Sequence, residues 1–200
     1  MKNNYIVIGD SITYGIGDYE NGGWSAMLKK YIVNQDDTKI CNNFVQVVGF
    51  PGATSKDILN KIDSVLDTFK HDEFNNIVML SIGVNDTQNF NGNYKVSIDS
   101  YKSNIEYIIK KIKDREFKII VLGLTRIGIN ERLEFKPNKY YDNTVIEEYD
   151  SELKKICDES IINYIPMQDV LQKDDFVDGL HPNSKGHKKI FERVVGYVEC

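Results

Sequence analysis

The sequence predicts an α/β fold, a three-layer α/β/α sandwich built on a five-stranded parallel sheet. Three observations carry this reading. Short runs of apolar, mostly β-branched residues alternate along the whole chain with segments of helical periodicity. The runs are apolar on both faces, as strands covered by helices on either side must be. Right-handed crossovers between such strands then place helices above and below the sheet.

Tyr5-Ile6-Val7-Ile8 reads as the first strand, followed by Trp24, Leu28, Tyr31 and Ile32 at helical spacing. Phe44-Val45-Gln46-Val47-Val48 is the second strand and ends near two glycines, Gly49 and Gly52. Thr54, with Asp57 three residues on, has the spacing of a capping box. The helix it opens carries Ile58, Leu59, Ile62, Val65, Leu66 and Phe69 on one face. Ile77 to Ile82 is the third strand, closed by Gly83, and Ile98, Tyr101, Ile105, Ile108 and Ile112 step along a long helix. Lys118 to Leu124 is the fourth strand. Ile146, Tyr149, Leu153 and Ile156 mark the next helix, Ile161 to Ile165 the fifth strand, and Ile190, Phe191, Val194, Val195 and Val198 the last helix. Thr125 to Asp142 is the longest stretch read as irregular; a loop of that length in a compact domain is usually functional or mobile.

The 200 residues suit one domain spanning 1–200, with a substantial core and no linker or internal repeat. A hydrophobic fraction of 41% and a charged fraction of 28% fit a globular chain rather than a disordered one. A net charge of −5 argues against nucleic acid as a partner, because phosphate binding needs a basic face. No apolar run approaches the roughly 18 residues that span a bilayer. Met1-Lys2-Asn3-Asn4 leads straight into the first strand without a signal-peptide pattern, so the expected location is cytoplasmic. Cys41, Cys157 and Cys200 are an odd number without CxxC spacing, which disfavours a disulfide framework or a zinc site. Periodicity does not fix an oligomeric state.

Ligands of an open parallel sheet bind outside the carboxyl ends of its strands. Four polar or glycine-rich motifs fall at such ends: Gly9-Asp10-Ser11, Gly49 to Ser55, Gly83-Val84-Asn85-Asp86, and Asp178-Gly179-Leu180-His181-Pro182. A serine hydroxyl is a poor nucleophile until a base takes its proton, and that base needs a third group to fix its tautomer. Ser11, His181 and Asp178 have the chemical types for these three roles.

In this order and at these spacings the four motifs resemble the SGNH hydrolases, also called the GDSL esterase family. The resemblance runs from Gly9 to His181 and implies a flavodoxin-like sandwich and a serine esterase or lipase that needs no cofactor; the absence of HExxH, paired CxxC or an acidic cluster separately argues against a metal. It implies Ser11 as nucleophile, His181 as general base and Asp178 as the carboxylate that orients the base. It further implies an oxyanion hole made by the Ser11 N–H, the Gly52 N–H and the Asn85 side-chain amide. Developing charge on a former carbonyl oxygen needs donors that are already in place. The second block matches least well: Ala53 follows Gly52 where many relatives have an acid, and Gly49 is a rival for the same role.

Other readings stay open at this level. Each motif alone is also an ordinary polar turn. His187 is a second candidate base, Asp86 a helix cap or a hydrogen-bond partner, and His71 a solvated surface residue. The substrate is expected to be a small-molecule ester, with a carbohydrate O-deacetylase, a lysophospholipase or a thioesterase as alternatives. Tyr14, Tyr19, Trp24, Phe90, Tyr94, Phe135, Tyr140 and Tyr141 are candidate walls for a sugar, acyl or aryl group. Arg126, Arg132 and Lys139 are candidates to meet an anionic substrate. From a different class, a non-catalytic small-molecule or phosphate-binding module would use Gly9 to Thr13 as an anion loop. There is no GxGxxG, no P-loop and no GxSxG elbow in the chain.

Overall fold

A computed structural model describes residues 2–35, 43–129 and 132–198. In chain order the elements are β1 (Asn3–Gly9), α1 (Ser11–Tyr14), α2 (Trp24–Asn34), β2 (Asn43–Gly49), α3 (Ser55–Phe69), β3 (Asn75–Ser81), β4 (Asn89–Phe90), β5 (Asn93–Tyr94) and α4 (Ile98–Lys113). They continue with β6 (Lys118–Leu122), β7 (Arg132–Lys136), β8 (Lys139–Asp142), α5 (Asn143–Ser160), β9 (Asn163–Ile165) and α6 (Ser184–Val195). The main sheet has the order β2-β1-β3-β6-β9 and every pairing in it is parallel.

Alternation along β1 shows why the sheet is covered on both sides. Ile6 and Ile8 pack with α3, α4 and α5 through Ile58, Ile62, Ile105, Leu153 and their neighbours. Tyr5 and Val7 face the other way, onto Trp24, Leu28 and Ile32 of α2 and Ile190 and Val194 of α6. Each such aliphatic side chain contributes roughly 1.5–3 kcal/mol when fully removed from water. The layers follow from these two apolar faces, as the sequence predicts. The capping box is also present: the Asp57 N–H donates to Thr54 Oγ1 and the Thr54 N–H to Asp57 Oδ2.

Three expectations need correction. The segment 125–142 is not one irregular loop, since it carries β7 and β8. These pair with β4 and β5 in a second, antiparallel sheet of order β5-β4-β8-β7. The fourth strand stops at Leu122, because the Leu124 N–H turns out of the sheet to the buried Asp150 carboxylate at 2.7 Å. The fifth strand starts at Asn163 and not at Ile161, which caps α5 in a left-handed conformation (φ 56°) and is 95% exposed. Cys157 is a buried free thiol, while Cys41 and Cys200 lie outside the described residues. Among the described residues no helix is long and apolar enough to cross a membrane.

Candidate active site

Ser11 begins α1 directly beyond the carboxyl end of β1. Asp10 caps that short helix, its Oδ1 accepting the Ile12 N–H at 2.9 Å. The buried Ser11 therefore sits at the sheet edge where a parallel sheet binds its ligands.

The second segment closes a turn on a carboxylate. Asp178 Oδ1 accepts the backbone N–H groups of Leu180 (3.0 Å) and His181 (2.8 Å), and its Oδ2 lies 2.7 Å from His181 Nδ1. Burial alone would raise the Asp178 pKa, but the His181 N–H, the imidazole and the Leu180 N–H together hold it below the ordinary carboxylate range. An ionised carboxylate only accepts, so it assigns the ring proton to Nδ1 and leaves Nε2 as the acceptor. His181 Nε2 lies 3.1 Å from Ser11 Oγ. A pairing between Phe176 and Pro182 and a bond from the Val177 N–H to the His181 carbonyl brace this segment. Gly17 (φ 98°) locks it to the N-terminal loop: a Cβ there would stand 2.2 Å from the Pro182 carbonyl oxygen.

Gly52 and Asn85 line the same pocket as Ser11 and His181, a cleft of about 410 Å³. Gly52 has φ 77° with no atom within 4 Å of a Cβ built on it, so its backbone faces open space. Gly49 is inside β2, its α-carbon packed against the Tyr14 backbone, and does not line this pocket. Asn85 is held from three sides. Its Nδ2 donates to the Ala53 carbonyl (3.0 Å) and Asp10 Oδ2 (3.2 Å), and its Oδ1 accepts from the Tyr141 hydroxyl at 3.2 Å. Tyr141 accepts in turn from Gln88 Nε2 at 2.6 Å. Burial pushes the Tyr141 pKa up, which keeps the phenol a donor.

Two buried carboxylates flank Asn85. Asp86 accepts the Ser55 N–H at 2.9 Å and the Ser55 hydroxyl, so it caps α3 through the chain, as one of its sequence readings has it. Burial raises its pKa to about 7. Asp10 is raised to about 6 by burial, against the Ile12 N–H and the positive influence of His181. Sequence reasoning left Asp10 out of the site; its only signal was adjacency to Ser11.

The other histidines and the candidate wall aromatics divide between the site and the rest of the molecule. His187 is fully buried, its Nδ1 accepting the Trp24 N–H (3.2 Å) and its Nε2 donating to the Ile16 carbonyl (3.0 Å). Both nitrogens are used, burial lowers its pKa, and it does not line the pocket. His71 is half-buried against Phe44 and Phe74, with ring centroids 5.3 and 4.1 Å away, rather than freely solvated. Of the eight candidate wall aromatics, Phe135 and Tyr141 line the pocket, whereas Trp24 is core. Arg126 pairs with Glu147 at 3.3 Å and Arg132 lies 3.7 Å over the Tyr140 ring, while Lys139 lines the pocket. Among the described residues no group of three or more His, Cys, Asp or Glu is arranged to hold a metal ion.

A family model, the GDSL-like Lipase/Acylhydrolase family, matches residues 7–189. The isoamyl acetate-hydrolyzing esterase of Schizosaccharomyces pombe is 23% identical over 205 residues, covering 98% of this chain and 75% of that protein. Among solved structures, LAE5, an alpha/beta hydrolase enzyme from the metagenome of Lake Arreo, superposes with a TM-score of 0.75 at 16% identity, covering 97% of this chain and 94% of that one. A variant of Axe2, an acetyl xylan esterase from Geobacillus stearothermophilus, gives 0.74 at 20% identity, covering 97% and 93%. At these identities the structural likeness speaks to the fold.

Proposed function

The chain belongs to the GDSL-like lipase/acylhydrolase family and is an ester-bond hydrolase; on that premise we propose that it works as a serine esterase through an acyl-enzyme on Ser11. The observation that carries this reading is one continuous line of contacts. Asp178 Oδ2 lies 2.7 Å from His181 Nδ1, and His181 Nε2 lies 3.1 Å from Ser11 Oγ, across 170 positions of sequence.

His181 Nε2 removes the hydroxyl proton as Ser11 Oγ bonds to the ester carbonyl carbon, and the carbonyl π electrons move onto oxygen. Asp178 stays ionised, holds the imidazole in the productive tautomer and stabilises the imidazolium. The oxyanion is received by the N–H groups of Ser11 and Gly52 and by Asn85 Nδ2. That amide already has acceptors in Ala53 and Asp10, so the oxyanion takes a share of the longer, 3.2 Å bond to Asp10. Loss of one such donor typically costs about 2.7–4 kcal/mol in the transition state. Collapse expels the alcohol with the proton from Nε2 and leaves the acyl group on Ser11. Water, deprotonated by the same nitrogen, attacks the acyl carbon; the acyl–Oγ bond then breaks, Ser11 Oγ takes the proton back from Nε2, and the acid is released.

The apolar wall of Ile16, Phe135 and Leu180 gives an acyl or aryl group a surface to bury. The test is hydrolysis of 4-nitrophenyl esters of increasing chain length by the protein and its Ser11→Ala variant. The variant is expected to lose activity to the spontaneous rate. Retention of more than a few per cent contradicts the acyl-enzyme reading.

A further inference from the structure

We propose that the β7–β8 side of this pocket is an anion subsite, so that the preferred substrates are esters bearing a carboxylate or phosphate. The proposal rests on the serine esterase reading and names the substrate class of that site. Lys136 and Lys139 stand directly opposite one another across the β7–β8 pair, and both line the cleft that holds Ser11 and His181.

Like charges facing each other across a strand pair repel, and the usual remedy is a carboxylate between or beside them. Among the described residues neither lysine has one. Glu134, the acid next to them on β7, is engaged by the Asn138 N–H at 3.1 Å across the turn. The remaining cations of this region are committed elsewhere. Arg126 pairs with Glu147, Arg132 covers Tyr140, and Lys95 Nζ donates to the Gly52 carbonyl at 2.9 Å. Among the described residues no aspartate or glutamate lines the cleft.

The result is a pair of lysines lining the cleft that holds the reacting atoms, in a chain whose net charge is −5. Such a reversal of local sign is what a site for an anion requires, and it steers charged ligands inward. Lysines act as point charges without the fork geometry of arginine, so carboxylate and phosphate are equally suited. A bound anion relieves the Lys136–Lys139 repulsion and thus gains from both.

The test compares kcat/KM for 4-nitrophenyl hydrogen adipate with that for 4-nitrophenyl hexanoate, which places the charge on the acyl side. A second arm compares 2-acetoxyethyl phosphate with 2-methoxyethyl acetate by pH-stat, which places it on the alcohol side. At least one anionic ester is expected to be preferred by about fivefold or more at low salt, with the preference shrinking as the Debye length shortens. The Lys136→Gln/Lys139→Gln variant is expected to lower the anionic-to-neutral ratio of kcat/KM by about tenfold. Ser11-dependent hydrolysis of the hexanoate and the methoxyethyl ester, with no anionic preference in either arm, overturns the subsite and leaves the esterase reading standing. An unchanged ratio in the double variant overturns it equally.

Discussion

The Tyr141 hydroxyl, carried on a strand of the antiparallel sheet, donates to Asn85 Oδ1 across 3.2 Å and so joins that sheet to the main-sheet edge. On the serine esterase reading, Asn85 needs its amide hydrogens turned toward the pocket. A donor on its oxygen fixes the side chain against the reverse orientation.

Tyr141→Phe is therefore expected to reduce kcat by about 5- to 20-fold with a smaller effect on KM, the scale of a buried acceptor left unpaired. Steady-state kinetics on one 4-nitrophenyl ester, with thermal unfolding as the control for folding, measures it. An unchanged kcat would separate Tyr141 from the oxyanion donor.

Asp178→Asn removes the charge and keeps the shape. The amide cannot enforce the Nδ1–H tautomer, so kcat is expected to fall by up to about 10⁴-fold. The readout is the pre-steady-state burst of nitrophenol, which should vanish. A burst of normal size would show that Asp178 does not orient the base.

Burial raises the pKa values of Asp86 to about 7 and Asp10 to about 6, above the ordinary carboxylate value near 3.8. The folded state therefore holds protons that the unfolded chain releases between about pH 4 and 7. The stability these groups contribute is complete below the unfolded value and is lost as pH rises through 6 to 7. His187, with its pKa lowered by burial, acts in the opposite sense, its contribution lost as pH falls. Asp86→Asn isolates the carboxylate. Its urea midpoint should change less between pH 5 and pH 8 than that of the unaltered protein, by the equivalent of a few kcal/mol. Parallel profiles for the two proteins would contradict this.

Gly17→Ala is expected to destabilise the fold by about 1–3 kcal/mol, because φ 98° strains any L residue and the new Cβ meets the Pro182 carbonyl. Gly52→Ala has the strain without the collision and should cost only about 1 kcal/mol. Denaturant titration ranks the two, and the reverse order would refute the packing argument.

The main sheet was legible because its central strands are buried and read as unbroken apolar runs, Ile77 to Leu80 being the clearest. The second sheet was not. Its strands run from two to five residues, and Asn89 finds Tyr140 across the molecule, a pairing no local periodicity encodes. Ile161 was misread for a related reason: an apolar, β-branched residue suggests a strand, but here it terminates a helix with its side chain in water. At the site, Ser11, His181 and Asp178 could be read from short motifs because each sits in a turn built by its own neighbours. Tyr141 could be read as a wall of the site but not as the partner of Asn85, which is 56 positions away.

The clasp between Gly17 and Pro182, with His187 bonded to the carbonyl of Ile16, closes the molecule from its far end. In synthesis the serine precedes the imidazole by 170 positions. On the serine esterase reading, the nascent polypeptide is chemically silent until both segments have been made. Its activity then begins when the two segments have folded against one another.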